Sequence, residues 1–189
     1  MSISNKPELI GISGTLASGK DTLTHHLEKE FGYTHVTTSD LIREIAKVEY
    51  GSIERPVLYK VAQHHRGKDG AGVFVRKALE SPRPLIVSGL RSLGEAKAIK
   101  AAGGVMLFID ASIELRYERM KQRHRDAEAL LSLEGFAKNE QKEWHQGDDD
   151  ADFNLRDIKA TADVVIENDL DLVTFLETAY LALHLDAKL

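Results

Sequence analysis

The sequence predicts a three-layer α/β fold built on a five-stranded parallel sheet. Short apolar runs alternate with helical patterns along the 189 residues, and strands separated by helices pair in parallel through right-handed crossovers. A glycine-rich turn directly after the first apolar run is typical of such sheets. Strands are expected at residues 9–13, 34–37, 84–88, 105–110 and 164–167. Helices are expected near residues 20–31, 40–49, 56–65, 71–80, 93–102, 112–124, 130–145 and 170–185.

The first turn has the spacing of a phosphate-binding loop. Gly14, four further residues, Gly19 and Lys20 come after the apolar run 9–12 and before a helical pattern. Small residues let backbone N–H groups close around phosphate oxygens, while the helix N-terminus and the lysine add positive charge. We therefore expect Lys20 to be catalytic and the loop to bind nucleotide phosphates through Gly14, Thr15, Ala17, Ser18, Gly19, Lys20, Asp21 and Thr22.

Two positions depart from the usual pattern of such loops. Asp21 stands where a serine or threonine normally ligates Mg²⁺, and Ser88 ends a buried strand that often ends in aspartate. Because a carboxylate is also a hard oxygen ligand, one interpretation is that the two ligand types have changed places, with Asp21 as the metal ligand. The alternative is that Asp21 is an acid favoured by the helix dipole.

Composition excludes several functional classes. The net charge of −5 argues against a general nucleic-acid binder. No cysteine is present, which excludes disulfides and thiolate chemistry. No apolar stretch approaches the length of a membrane span, and residues 1–8 lack the apolar core of a signal peptide. We expect a cytoplasmic protein whose partners are neither nucleic acid nor membrane. The sequence leaves its oligomeric state open.

Charged residues follow the second and third predicted strands. Asp40 and Arg43 lie in the first turns of the helix after the second strand, with Ser39 expected as its cap. Arg91 follows Gly89 at the end of the third strand. Because ligands bind at the carboxyl ends of parallel strands, the two arginines are expected to clamp a phosphate-bearing acceptor.

A third group of arginines follows the fourth strand. Arg116, Arg119 and Arg123 recur along one helix face. Arginines at this edge of the sheet can neutralise charge on a transferring phosphoryl group, although a solvated charged stripe has the same pattern. The whole chain, 1–189, is expected to be one domain. It would carry an acceptor-binding insert at about 39–80 and a lid at about 124–155.

These elements together resemble a small P-loop kinase of the nucleoside monophosphate kinase and dephospho-coenzyme A kinase group. Ser39–Arg43 is similar to the Gly-Asp-Met-Leu-Arg element of adenylate kinases, and Gly89–Arg91 is similar to their Gly-Phe-Pro-Arg element without its proline. Glu114–Arg123 is similar to the helix that enters their lid. Ala162–Asn168 looks like the last strand of dephospho-coenzyme A kinases.

The resemblance implies a P-loop kinase fold, with ATP and Mg²⁺ as cofactors. It further implies that Arg119 stacks on the ATP adenine, that Arg123 contacts phosphates, and that Asp40, Arg43 and Arg91 bind the acceptor. The catalytic set expected on this basis is Lys20, Asp40, Arg123 and Arg156.

Chemistry separates the candidate acceptors. A nucleoside monophosphate is already ionised and needs cations, whereas the ribose hydroxyl of dephospho-coenzyme A benefits from a carboxylate base. The pair Arg43 and Arg91 favours a (deoxy)nucleoside monophosphate, while Asp40 suits both acceptors. A non-catalytic nucleotide-binding regulatory module is the alternative of another class, although such a module need not keep these arginines.

Overall fold

Five parallel strands form one sheet with helices on both faces. The structure, a computed structural model, describes residues 6–122 and 132–185. The strands in these ranges are β1 (Leu9–Gly14), β2 (Thr34–Thr37), β3 (Leu85–Ser88), β4 (Val105–Asp110) and β5 (Val164–Glu167). Their spatial order is β2-β3-β1-β4-β5. The expected strands are confirmed to within one residue at each end.

Nine helices lie in the described ranges: α1 (Lys20–Phe31), α2 (Thr38–Tyr50), α3 (Arg55–Asp69), α4 (Val73–Ala78), α5 (Leu93–Ala101), α6 (Ile113–Gln122), α7 (Leu133–Trp144), α8 (Leu155–Thr161) and α9 (Leu172–Ala182). The predicted insert thus covers α2 to α4. The predicted lid is described only from residue 132 onward, where it includes α7 and the loop after it. None of the described helices has the length and apolarity needed to cross a membrane.

Alternation along the strands divides the core into two layers. Ile10 and Ile12 of β1 pack toward α1 and α9, where they meet Leu23, Leu27 and Phe175. The opposite face of the sheet, including Val87 and Phe108, packs on α4, α5 and α8. The side chains alternate because successive residues of a strand point to opposite faces. This arrangement gives the expected three layers.

One local expectation was wrong, and one helix was missed. The cap of α2 is Thr37 and not Ser39, because the Thr37 side chain accepts a hydrogen bond from the Asp40 N–H and the helix begins at Thr38. The helix α8 was not predicted, because seven residues are too few to show a helical repeat. Its buried residues Leu155 and Ile158 are one turn apart, and Asn154 caps it by accepting from the Asp157 N–H at 3.1 Å.

Candidate active site

The loop between β1 and α1 is shaped by two glycines with positive φ. Gly14 has a φ of 144°, and a Cβ atom there would overlap the backbone carbonyl of Ile109. Gly19 has a φ of 105° and caps α1 without a side-chain hydrogen bond. L-residues with a side chain rarely adopt such values, so glycine is required where the chain turns back over the sheet. The loop therefore presents the N-terminus of α1 to the carboxyl edge of the sheet.

The loop is attached to the end of β4. The Thr15 N–H donates to the Ile109 carbonyl at 3.2 Å, and the Thr15 hydroxyl donates to the Asp110 carboxylate at 2.7 Å. Lys159 of α8 donates to the other oxygen of Asp110 at 2.7 Å. Burial disfavours ionisation of Asp110, but the hydrogen bonds from Lys159, Thr15 and the Ala111 N–H outweigh it and hold the pKa of this carboxyl below its ordinary value. Asp110 is thus an ionised anchor for the loop.

Lys20 folds back over its own loop. Its ammonium donates to the Gly14 carbonyl at 3.0 Å, to the Thr15 carbonyl, and at 3.4 Å to the Ser18 hydroxyl. These are acceptors that an incoming phosphate can replace. Three of the residues predicted to bind phosphate, Gly14, Thr15 and Ser18, therefore contact one ammonium group.

Two cavities lie against the loop, on opposite sides. One, here called the α9 cavity, contains Gly19, Thr22, Arg119, Gln122, Asn168, Leu170, Leu172 and Phe175. Arg119 donates to the Asn168 carbonyl at 3.0 Å, and the Asn168 amide donates to the Ser18 carbonyl at 2.8 Å. The cavity combines an aromatic ring, aliphatic side chains and a guanidinium group, which suits a flat heteroaromatic ring.

The other cavity, here called the α2 cavity, collects most of the residues predicted to act on the acceptor. It is lined by Gly14, Leu16, Ala17, Gly19, Lys20, Asp21, Thr37, Ser39, Asp40, Arg43, Ser88, Gly89, Leu90, Arg91, Glu143 and Leu155. Lys20, Asp21, Asp40, Arg43 and Arg91 thus share one space. The sequence predicted this grouping only because these residues follow strands whose carboxyl ends lie at one edge of the sheet.

Both arginines of this cavity have carboxylate partners. Arg43 donates to Asp40 at 2.7 Å, and both side chains are about half exposed. Arg91 forms an ion pair with Glu143 of α7. The cavity walls therefore hold cations and anions side by side, and an anionic ligand would compete with Asp40 and Glu143 for the guanidinium groups.

Sequence reasoning missed a histidine–serine pair beside the α2 cavity, in which Ser88 is the residue that lines the cavity. His35 Nε2 lies 2.7 Å from the Ser88 hydroxyl. Burial lowers the pKa of His35, against opposing effects of Glu28, Asp21 and Asp40. The pair exists because β2 and β3 are adjacent in the sheet, which the order of residues along the chain does not reveal.

The other predicted arginines have different surroundings. Arg116 is buried and structural, since it donates to the Ala111 carbonyl at 2.7 Å and pairs with Glu140 of α7. Arg156 is half exposed and donates to the adjacent Asp157 at 2.8 Å. It lines neither cavity, although its neighbour Leu155 lines the α2 cavity. Arg123 lies outside the described residues.

The oxygen donors of the α2 cavity fit Mg²⁺. Asp21, Asp40 and Ser88 supply hard oxygen atoms beside the loop. No group of three or more His, Asp or Glu side chains in the described part of the chain is arranged to hold a metal ion by itself. Mg²⁺ commonly takes one or two carboxylates together with substrate phosphates and water, and Asp21 and Asp40 are carboxylates beside the loop.

Comparison with known proteins identifies a family for most of the chain. The sequence profile of the family described as "AAA domain" matches residues 10–144. No curated protein sequence matches the chain significantly.

Solved kinase structures share the fold at low sequence identity. A gluconokinase from Sinorhizobium meliloti has a TM-score of 0.56 at 17% identity, with 94% of this chain and 91% of that chain covered. A shikimate kinase from Bacteroides thetaiotaomicron has a TM-score of 0.60 at 11% identity, with 93% and 96% covered. A deoxyadenosine kinase from M. mycoides has a TM-score of 0.55 at 17% identity, with 93% and 98% covered. At such identities the likeness shows the fold alone.

The Asp110 anchor predicts a pH-dependent contribution to stability. Because its pKa is lowered by folding, the contribution is complete above the unfolded value of about 4 and is lost as the pH falls through the folded value. We expect Asp110→Asn to lower the free energy of unfolding by about 2 kcal/mol at pH 7. The difference from the wild type should shrink below pH ~4.

Urea denaturation at pH 7 and pH 3.5 measures both quantities. Asp148→Asn, at a side chain that is 94% exposed, is the matched control and should change stability little at either pH. A deficit of Asp110→Asn that stayed constant between the two pH values would contradict an ionised anchor.

Proposed function

The chain belongs to the AAA domain family, and we propose that it is an ATP-dependent kinase for a small nucleotide acceptor. The acceptor that fits the cationic residues of the α2 cavity best is a (deoxy)nucleoside monophosphate. The observation that carries the proposal is that Arg43 and Arg91 line the same cavity as Lys20. Three cationic side chains in one cavity would neutralise charge on two neighbouring phosphate groups.

The two cavities correspond to the two substrates. ATP would place its phosphates in the loop from Gly14 to Thr22 and its adenine in the α9 cavity, against Arg119 and Phe175. The acceptor would enter the α2 cavity from the opposite side of the loop. Because both cavities share Gly19, donor and acceptor would meet end to end at the loop, as in-line transfer requires.

The transfer itself would rest on positioning and charge. An acceptor phosphate is already ionised, so one of its oxygens attacks the γ-phosphorus while the bond to the β,γ-bridging oxygen breaks. Lys20 would neutralise charge on the transferred group, and Arg43 and Arg91 would hold the acceptor phosphate. In this proposal Arg123 completes the catalytic set, whereas the position of Arg156, which lines neither cavity, gives no support to a catalytic role for it. Mg²⁺, held by Asp21, would neutralise charge on the ATP phosphates.

A second acceptor class has its own supporting observation. Asp40 lines the α2 cavity as a half-exposed carboxylate, which is the group that a hydroxyl acceptor needs as a base. Dephospho-coenzyme A is the candidate of this class. Asp40 already accepts a hydrogen bond from Arg43 at 2.7 Å. A hydroxyl acceptor would have to compete with that guanidinium for the carboxylate, which favours the phosphate acceptor.

A phosphoryl-transfer screen tests the proposal. Purified protein with ATP and Mg²⁺ is offered ribo- and deoxyribonucleoside monophosphates, dephospho-coenzyme A, gluconate and shikimate. We expect transfer to a monophosphate. Transfer to dephospho-coenzyme A alone would favour the hydroxyl acceptor, and ATP binding without transfer to any candidate would favour a regulatory module.

The ammonium of Lys20 is expected to dominate turnover. Lys20→Ala should lower kcat by roughly 100-fold or more, because it removes a charge that faces the transferred group. Lys29→Ala on the same helix, at an exposed side chain, is the matched control. A Lys20→Ala variant that turned over at the wild-type rate would rule out phosphoryl transfer at this loop.

The arginines are expected to divide between the two substrates. Arg43→Ala and Arg91→Ala should reduce kcat/KM for the acceptor by about 10- to 150-fold, the equivalent of one lost charged hydrogen bond. Arg119→Ala should instead raise the KM for ATP. Arg83→Ala, at the opposite end of the sheet just before β3, is the control. Steady-state kinetics with each substrate varied in turn distinguishes these effects, and equal effects on both substrates would refute the division.

The metal requirement tests Asp21. Asp21→Ala should raise the Mg²⁺ concentration for half-maximal activity more than it changes the acceptor KM, and Asp21→Thr should restore much of the loss by returning a hydroxyl ligand. A magnesium titration of the three proteins measures this. If Asp21→Ala titrates like the wild type, Asp21 acts only on the helix dipole.

A further inference from the structure

The backbone of Arg91, in the loop between β3 and α5, is held on both sides by hydrogen bonds. Its N–H donates to a carboxylate oxygen of Glu95 at 2.8 Å, and its carbonyl accepts from the Asn154 N–H at 2.8 Å. An isolated antiparallel bridge joins Ser92 to Phe153 next to these bonds. Arg91 therefore lies in a short strand-like contact with the loop that follows α7.

A buried ion pair fixes the carboxylate that holds Arg91. Glu95 is fully buried, and its other oxygen accepts from Arg66 at 2.8 Å. Arg66 belongs to α3 in the predicted insert and is 4% exposed. Its Nε has no hydrogen-bond partner among the described residues. Removing either partner of a buried pair leaves an unpaired buried charge, so each side chain holds the other in place.

The ring of Phe153 contacts both guanidinium groups. The Arg91 guanidinium carbon lies 5.6 Å from the ring centroid, and that of Arg66 lies 5.7 Å from it. Both distances lie within the range of cation–π contacts. Phe153 thus links Arg91 of the α2 cavity to Arg66 of the insert.

We infer that Phe153 and the Arg66–Glu95 pair are positioning residues for Arg91. They hold its guanidinium in the α2 cavity before an anion arrives. Because the backbone and ring contacts do not involve Glu143, they persist when an anion replaces that carboxylate. Holding a long side chain in one rotamer removes part of the entropy cost of binding. The inference rests on the proposed role of Arg91 as a ligand of the acceptor phosphate.

The experiment uses inorganic phosphate as the probe and needs no catalytic activity. The Nε–H resonance of Arg91 in protein carrying ¹⁵N-arginine is assigned by its loss in Arg91→Lys. Phosphate should shift this resonance saturably in the wild type. In Phe153→Leu the ring-current contribution should disappear, and the dissociation constant for phosphate should rise about 3-fold or more. Glu95→Gln should raise it further. Tyr59→Leu is the matched control, because Tyr59 is an exposed aromatic residue of α3, the helix that carries Arg66.

A double-mutant comparison separates positioning from a general structural role. In an Arg91→Ala background, with phosphate followed at the Arg43 resonance, Phe153→Leu should cause no further loss. An equal loss in both backgrounds would overturn the inference, as would unchanged phosphate affinity in Phe153→Leu. Phe153→Leu also serves where Glu95→Gln fails to fold, because Phe153 is only partly buried. If Phe153→Leu weakens phosphate binding only when Arg91 is present but the protein transfers no phosphoryl group, the proposed function alone is overturned. If the protein transfers a phosphoryl group but Phe153→Leu acts equally in both backgrounds, the positioning role alone is overturned.

Discussion

The attachment of the β1–α1 loop to the end of β4 is the constraint on which the site depends. The Thr15 N–H and hydroxyl bind the last two residues of β4, Ile109 and Asp110. Gly14 lets the backbones approach so closely that no side chain would fit between them. Because Lys159 reaches the same carboxylate from α8, three separate parts of the chain meet at Asp110. The N-terminus of α1 is thereby aimed at the carboxyl edge of the sheet, where phosphate can bind.

The strand order then decides what lies on each side of the loop. With β1 in the centre, β3 and β2 bring Ser88, Asp40 and Arg43 to one side, and β4 and β5 bring Arg119 and Asn168 to the other. On the first side, α7 supplies Glu143, and the segment after α7 makes the backbone contact to Arg91. The division into two cavities is therefore a consequence of topology, and the proposed roles of donor and acceptor follow from it.

The sequence predicted the parts of the site that depend on local chemistry. The bounds of α1 were right because the glycine-rich turn marks its first residue and the apolar repeat Leu23, Leu27, Phe31 continues to its last. Contacts between distant residues were not predictable: Asn168 reaches Ser18 across 150 residues of chain, and Arg66 reaches Glu95 between two helices. Arg116 shows the same limit, because helical spacing placed it with Arg119 on a charged face while the packing of α7 buries it against Glu140.

A crystal structure of the protein with Mg²⁺ and a non-hydrolysable ATP analogue would test the central claim most directly. The triphosphate should lie in the loop from Gly14 to Lys20, with the adenine in the α9 cavity against Arg119 and the α2 cavity left open for the acceptor. A triphosphate bound away from this loop, or an adenine that occupied the α2 cavity beside Arg43, would contradict it.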